Sequence, residues 1–308
     1  MTLQQLKYIV AVEKYGSFGK AAEACGLTQP TLSLMVKKLE EELDIRIFDR
    51  DAHPVAPTGI GQKVIDKAKV VLYNAGQIAE LTKTEKELLS GPLRIGLIST
   101  VSPVLIPGLY RYFFGNYPSI SLQIEEMLTE TVKDKLRKAE IDMGIVPGPV
   151  DDPEFLEIPL YSERFLAYLS KDHPLFAKET LTRDEVFSEP IWIIKDGFRK
   201  MRPGEFDSEE DKSYDHFFEG GRVGLIIQVV NDNGGLTVVP ETHRNFIVGP
   251  WRECLRPIVG PKIKRMVSLL VRRDYIRESL LNVVVDAVRT IIPAEMLESI
   301  ARRDHLVI

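Results

Sequence analysis

The chain has 308 residues, 44% hydrophobic and 28% charged, with 40 basic against 45 acidic residues and a formal net charge of −5. This length exceeds one ordinary domain, and the balance is that of a soluble globular protein, which excludes collagenous, disordered and disulfide-stapled classes. Two distant cysteines (Cys25 and Cys254), no basic-then-apolar leader and no apolar run near the ~20 residues of a membrane helix point to a reducing, cytoplasmic setting without membrane contact.

The charge is unevenly laid out. The first 89 residues hold 12 basic and 12 acidic residues, so the surplus of negative charge lies beyond them. A neutral module still binds DNA if its cations share one face.

Leu3, Leu6, Ile9, Val10 and Val12 make one apolar helical face. Gly16-Ser17 interrupts it, and Ser17 reads as the cap of a short second helix through Phe18, Ala21, Ala22 and Ala24, ended by Gly26. Thr28 reads as the cap of a third helix, Gln29 to Leu43, with Pro30 in its first turn. Its core face is Leu32, Met35, Val36, Leu39 and Leu43, and its outer face carries Thr31, Ser33, Lys37 and Lys38. Ile45-Arg46-Ile47-Phe48 is a strand pattern. With the turn Asp51-Ala52-His53-Pro54 and the segment from Val55 to Thr58 it predicts a two-stranded wing.

From Thr58 to Leu89 the pattern is helical. Val64, Ala68, Val71, Ala75 and Ile78 recur at alternating spacings of four and three, a coiled-coil seam for a second copy. The alternative is an amphipathic helix packed on its own domain. Ser90-Gly91-Pro92 punctuates the chain, and strands then alternate with helices. Strands are expected at Leu93–Ile98, Leu122–Met127, Ile141–Val146, Phe165–Leu169, Ile191–Ile194, Leu236–Val239 and Met266–Val271. Helices are expected at Pro103–Phe114, Thr129–Ala139, Val223–Val230 and Ser279–Ile291. This alternation predicts parallel sheets with crossover helices in two small α/β units, the last helix packing back on the first unit.

A short helix, a three-residue break at Gly26-Leu27-Thr28 and a helix opening on small polar residues describe a helix-turn-helix. Its N-terminus offers backbone N–H groups to phosphate, and short polar side chains let it sit deep in the major groove. The plainer reading is a three-helix packing module without DNA.

The segments Phe18-x-x-Ala21-Ala22, Thr28-Gln29-Pro30-Thr31-Leu32-Ser33, Lys38-Leu39-Glu40-x-x-Leu43, Phe48-x-Arg50 and Thr58-x-x-Gly61 resemble the winged helix-turn-helix of LysR-type transcriptional regulators. Chain length, linker helix and two-lobed remainder fit the same family. Pro54 and Pro57 flank wing positions where the family is usually more regular. The resemblance implies an α plus α/β chain: a winged helix-turn-helix at 1–58, a linker and dimerisation helix at 59–89, and a periplasmic-binding-protein-like effector domain at 90–308. Lobe I is expected at about 90–162 plus 265–292 and lobe II at about 163–264. It further implies a regulator rather than an enzyme, pairing through 59–89 and assembling as a tetramer. Its partners are promoter DNA and, in the wider reading, RNA polymerase. Ser17, Thr28, Gln29, Pro30, Thr31, Ser33, Lys37, Lys38 and Arg50 are the expected DNA contacts.

Within the family, Ser90-Gly91-Pro92-Leu93-x-Ile95-Gly96-Leu97-Ile98-x-Thr100-Val101, Asp172-His173-Pro174, Asp196-Gly197 and Gly235-Leu236-Thr237-x-x-Pro240-Glu241 resemble the OxyR branch, which senses hydrogen peroxide. The resemblance implies oxidative-stress genes as targets and an effector site between the lobes. The candidates there are Ser99, Thr100, Ser102, Thr129, Asp196 and Gly197, for peroxide or for a metabolite. The Ser and Thr candidates precede or open helices after strands, where open α/β sheets bind ligands. The simpler reading is that they only cap helices. That branch carries a cysteine just after the Asp-Gly pair and a second in the next loop. Here Phe198-Arg199-Lys200 follows, and no cysteine lies between Cys25 and Cys254. Three explanations stand: an engineered cysteine-less sensor, a natural member sensing a small ligand, or a loop that is not the native one. Cys254, between Arg252 and Arg256, is the residual redox candidate, with burial as its simpler reading.

No cofactor or metal is expected. The five histidines (53, 173, 216, 243, 305) show no zinc spacing, no phosphate-binding glycine loop follows a strand, and Asn231-Asp232-Asn233-Gly234-Gly235 reads as a turn rather than a calcium loop. The segment 202–212 reads as a solvated loop. Two rival classes are a solute-binding protein, which the N-terminal reader argues against, and an α/β enzyme, for which no nucleophile–base or cofactor motif is present.

Overall fold

The computed structural model describes residues 1–80, 89–188, 191–194, 217–218, 222–260 and 264–301. It divides into two compact units, Met1–Leu88 with Asp134–Glu140, and Leu89–Lys133 with Ile141–Ile308. The solvated-loop expectation at 202–212 lies outside the described residues.

The first unit opens with α1 (Leu3–Tyr15), α2 (Phe18–Ala24) and α3 (Gln29–Leu43). Thr2 and Gln5 close a capping box on α1, and Gly16 ends it with φ +56°. Ser17 caps α2 by accepting from the Lys20 amide, as its sequence position predicts. Thr28 occupies the cap position of α3 but makes no capping bond. Its hydroxyl lies 2.8 Å from that of Thr31. Leu6, Ile9, Val12, Ala21, Leu32, Val36 and Leu39 close one core between the three helices.

The wing is β1 (Phe48–Asp49) against β2 (Ala56–Pro57), antiparallel. It is shorter and later than the expected strand at 45–48, and the reason is Glu40. The Glu40 carboxylate accepts from the Ile47 and Phe48 amides at 2.8 and 3.2 Å, so those groups serve a helix side chain instead.

Helix α4 (Gly59–Glu80) follows. Thr58 holds its start by donating to the Arg46 carbonyl (2.6 Å) and accepting from the Gly61 amide (3.0 Å). A Cβ on Gly61 would lie 1.9 Å from the Ile47 carbonyl oxygen, which accounts for a glycine at that position. The expected seam divides. Ala68 is buried and Val64 packs alongside it in the first unit's own core, together with Ile65 and Leu72. Val71 and Ile78 remain 44% and 69% exposed. The last part of the expected linker helix, 81–88, lies outside the described residues.

The second unit carries one mixed sheet. Its strands are β3 (Gly91–Leu97), β4 (Ile120–Glu126), β5 (Met143–Gly148), β6 (Phe155–Leu169), β7 (Leu181–Thr182), β8 (Ile191–Ile194), β9 (Phe217–Phe218), β10 (Leu236–Pro240), β11 (Leu255–Val259) and β12 (Lys264–Arg272), in the order β4-β3-β5-β12-β6-β10-β8-β9. Helices α5 (Ser102–Asn116) and α6 (Thr129–Arg137) connect the parallel strands β3, β4 and β5. Farther along come the short α7 (Arg183–Phe187), then α8 (Val223–Asn233), α9 (Glu278–Ile291) and α10 (Ala294–Ala301). Helix α9 packs back against α5, as expected. Asn231–Asn233 form the last turn of α8, and only Gly234-Gly235 makes the expected turn.

The purely parallel expectation fails because of β6 and β12. They pair antiparallel over nine positions, from Lys264↔Arg164 to Arg272↔Phe155. Beyond Arg164, β6 changes partners and pairs with β10 from Phe165 to Leu169 and with β11 from Leu166 to Tyr168. A single 15-residue strand therefore serves two sheet halves. The sequence pattern shows only its second part, because Glu157, Glu163 and Arg164 interrupt the apolar run.

Gly61→Ala is expected to lower the unfolding stability of the first unit by about 2 kcal/mol or more through overpacking. Gly76→Ala, in open space on the same helix, is expected to raise it by roughly 0.5–1 kcal/mol through helix propensity. Urea unfolding followed by circular dichroism checks both.

Candidate functional site

The outer face of α3 is polar and open. Thr28, Gln29, Pro30, Thr31, Lys37 and Lys38 are exposed, Ser33 is half-buried, and Ser17 is half-buried at the start of α2. The Thr28 hydroxyl engages Thr31, so no side chain caps the first-turn amides of α3, which face outward as hydrogen-bond donors. Lys37 lies 3.6 Å from Glu41, and Lys38 has no ion pair among the described residues. Arg50 differs from the freely reaching cation expected. Its guanidinium donates to Glu40 at 3.0 Å and to the Ser33 hydroxyl at 3.4 Å, and it lies 5.2 Å from the Phe18 ring centre. Arg50 therefore fixes α3 to the wing and to α2 while its outer edge stays exposed. Glu40, whose side chain is 10% exposed, is the group that sequence reasoning missed. The signal was an acidic residue next to Leu39 on the core side of an amphipathic helix.

In the second unit, Ser99, Thr100 and Ser102 are buried at the C-terminal end of β3 and the start of α5. Ser102 donates to the Glu126 carboxylate at the end of β4. Thr100 meets Arg265, which donates from Nη1 to its hydroxyl (2.8 Å) and from Nη2 to its carbonyl (3.2 Å). Arg265 also donates to Glu163 at 2.7 Å, and the two side chains are 6% and 0% exposed. The Thr242 hydroxyl donates to the other Glu163 oxygen at 2.6 Å. Four chain segments thus meet on one buried ion pair: the turn after β3, β6, β12 and the 3₁₀ turn Glu241–Asn245 that follows β10. Breaking such a pair leaves a buried charge uncompensated.

Two further groups lie against this pair. Burial, and then the Glu163 carboxylate, push the Tyr161 phenol well up, and its hydroxyl has no partner among the described residues. His243 is 3% exposed, and neither ring nitrogen has a partner among the described residues. Burial, and then the Arg265 cation, bring its pKa down to about 3, so the ring stays neutral at physiological pH. Glu163, Arg265, Thr242 and His243 were not singled out from sequence. For Glu163 and Arg265 the available signal was a charge just ahead of the expected strands beginning at Phe165 and Met266.

Thr129 opens α6 and is half-buried. Asp196 and Gly197 lie outside the described residues. Cys254 is 1% exposed, and Arg256 does not serve it. Arg256 donates to the carbonyls of Phe176, Lys178, Glu253 and Leu255, and stacks on the Phe176 ring. Cys25 is half-buried at the end of α2, and both thiols are free.

Residues 3–62 match the bacterial regulatory helix-turn-helix protein of the lysR family, and residues 86–292 match the LysR substrate binding domain. The chain belongs to the LysR family of DNA-binding transcription regulators. Among curated relatives of this LysR-type chain is the DNA-binding transcriptional dual regulator OxyR of Escherichia coli K12, 28% identical over 297 residues, covering 94% of this chain and 95% of that one. A hydrogen peroxide-inducible genes activator of Haemophilus influenzae is 29% identical over 276 residues, covering 88% and 91%. Among solved structures, a full-length OxyR cysteine-to-aspartate variant from Pseudomonas aeruginosa superposes with a TM-score of 0.78 at 31% identity, covering 95% of this chain and 99% of that one. A Corynebacterium glutamicum OxyR cysteine-to-serine mutant bound to hydrogen peroxide has a TM-score of 0.60 at 25% identity, covering 97% and 94%. The family regulates transcription and does not consist of enzymes. Among the described residues, no helix is long and apolar enough to cross a membrane.

Arg265→Met alone is expected to destabilise the second unit by about 3–5 kcal/mol, because it strands the Glu163 carboxylate. Adding Glu163→Leu is expected to recover most of that loss, and a double-mutant cycle by urea unfolding measures the coupling.

Proposed function

We propose that this LysR-type regulator reads promoter DNA with α3 in the major groove. Gln29, Thr31 and Ser33 sit nearest the base edges, and Ser17, Thr28 and Pro30 frame the helix start against the backbone. Lys37 and Lys38 reach phosphates, and the outer edge of Arg50 does the same while holding Glu40. The support is a polar, uncapped helix start beside exposed cations on one face.

The trigger we infer is binding of a small hydrogen-bonding effector at Thr100 and Arg265. The observation that carries it is the Arg265–Glu163 pair, with Thr100 bound to it and, beside it, Tyr161 and His243 groups that have no partner among the described residues. Ser99, Ser102 and Thr129 belong to the same candidate site, and Asp196-Gly197 is the family position that completes it. Peroxide itself is one such effector. The names of the relatives, which include hydrogen peroxide-inducible genes activators, favour oxidative-stress genes as targets. Reaction at a thiol is the weaker route, since the two cysteines are Cys25 and the buried Cys254. A metabolite at the same residues is the second reading, favoured by that burial. The domain plan of reader 1–58, linker 59–89 and two-lobed effector region 90–308 goes with this reading. Pairing through 59–89 is supported by the exposure of Val71 and Ile78. Tetramer assembly, contact with RNA polymerase and a cytoplasmic location follow from the same proposal.

Ser33→Glu is expected to weaken specific DNA binding by roughly 100-fold or more while leaving the circular dichroism spectrum unchanged, and log affinity should fall with log salt by about 0.9 per phosphate contact. Fluorescence anisotropy on the DNA upstream of its own gene reads both. Wild-type affinity in the variant, or salt-independent binding, contradicts the groove assignment.

A further inference from the structure

Two motifs that the regulator reading leaves unused, Ser170-Lys171-Asp172 and Asn231-Asp232-Asn233, meet at one pocket. It has a volume of about 490 Å³ and is completed by Pro250, Trp251 and Cys254. Its lining includes none of Ser99, Thr100, Ser102, Glu163, Thr242, His243 and Arg265. The first motif follows the end of β6, and the second is the last turn of α8.

The floor of this pocket is buried, polar and uncharged. Ser170 is 6% exposed, and its hydroxyl makes no hydrogen bond among the described residues. Asn231 uses only half of its amide. Its Oδ1 accepts from the Tyr168 hydroxyl at 2.7 Å, while Nδ2 is buried without a partner. Cys254 is 1% exposed and lies beside the same Tyr168 hydroxyl. Burial, and then that thiol, raise the Tyr168 phenol, so it stays a neutral donor to Asn231. A buried N–H left without a partner is unfavourable in a folded chain, and among the described residues Asn231 Nδ2 is one. Ser170 and Asn231 line the same cavity, so a molecule bound there lies against both side chains.

The rim sets the chemistry of that molecule. Asp172 and Asp232 stand against a single cation, Lys171, all three exposed. The C-terminal end of α8 adds partial negative charge. An anion is disfavoured there, and the buried floor disfavours a charged group of either sign. The two carboxylates accept hydroxyl donors, Asn231 Nδ2 requires an acceptor, and the Ser170 hydroxyl serves as either. Trp251, 48% exposed, offers an aromatic face to an apolar one. The volume is in the range of small-molecule sites. We propose that this pocket is a second ligand site of the protein, taking an uncharged polyhydroxylated molecule of monosaccharide size.

The test is saturation-transfer NMR and calorimetry on the full chain with D-glucose, D-ribose and myo-inositol, with acetate as the anionic control. At least one polyol is expected to bind saturably with a Kd of about 0.1–10 mM, and acetate is not. Ser170→Ala and Asn231→Asp are each expected to weaken binding roughly 10-fold. Asn231→Asp keeps the acceptor for Tyr168. Ser170→Ala removes a hydroxyl with no partner among the described residues, so its unfolding midpoint should not fall. Thr100→Val, outside this pocket, is expected to leave polyol affinity unchanged. The proposal is overturned if no polyol binds saturably up to ~50 mM, if both pocket variants bind as the wild type does, if acetate binds more tightly, or if Thr100→Val abolishes binding.

Discussion

A buried ion pair organises the second unit. Arg265 and Glu163 face each other across β12 and β6, one register step from Arg164, where β6 leaves β12 for β10 and β11. Neither charge has water to solvate it, so each must be met by protein groups. Thr100 supplies two oxygens and Thr242 a hydroxyl, which draws the end of β3 and the turn after β10 onto the same point. The strands that carry the sheet and the buried residues around Thr100 are therefore fixed by one requirement. Beside the Arg265 cation lie a neutral imidazole and, among the described residues, a phenol without a partner.

The first unit solves a smaller version of the same problem. Glu40 is buried on the core side of α3 and is satisfied by two wing amides and by Arg50. That arrangement locks the wing to the helix and delays the first wing strand by three residues relative to its apolar pattern. Thr58 and Gly61 complete the lock, one by bonding the carbonyl of Arg46 and the other by leaving room for that of Ile47. The outer face of α3 is thereby left free of structural duties, apart from the long bond between Ser33 and Arg50. A reading face of small polar groups needs this kind of rigid backing.

Much of this was legible in the residue order. Helix positions follow apolar periodicity, Ser17 caps where it should, and the Thr28–Ser33 run with Thr58-x-x-Gly61 carries the family resemblance. What escaped is what periodicity cannot encode. A strand interrupted by Glu157, Glu163 and Arg164 does not look buried, yet β6 is the longest strand among the described residues, and Glu163 inside it finds its partner 102 residues away. Pairing of strands distant in sequence, and hence the antiparallel insertion of β12, leaves no local mark. The Val64–Ile78 seam mixes two tasks, a near half turned to its own core and a far half left exposed, and spacing alone assigns both to a single partner. His243 showed no ligand spacing, and Cys254 showed only the neighbouring Arg252 and Arg256. Their surroundings, one beside Arg265 and one beside Tyr168, come only from tertiary packing.

In the function proposed above, binding of an effector at Thr100 and Arg265, rather than thiol oxidation, governs this regulator. The most direct measurement is DNase I footprinting on the DNA upstream of its own gene, with and without hydrogen peroxide, for the wild type and a Cys25→Ser/Cys254→Ser variant. The account predicts that the two proteins give the same footprint in each condition. A peroxide-dependent change that the wild type shows and the cysteine-free variant lacks would contradict it.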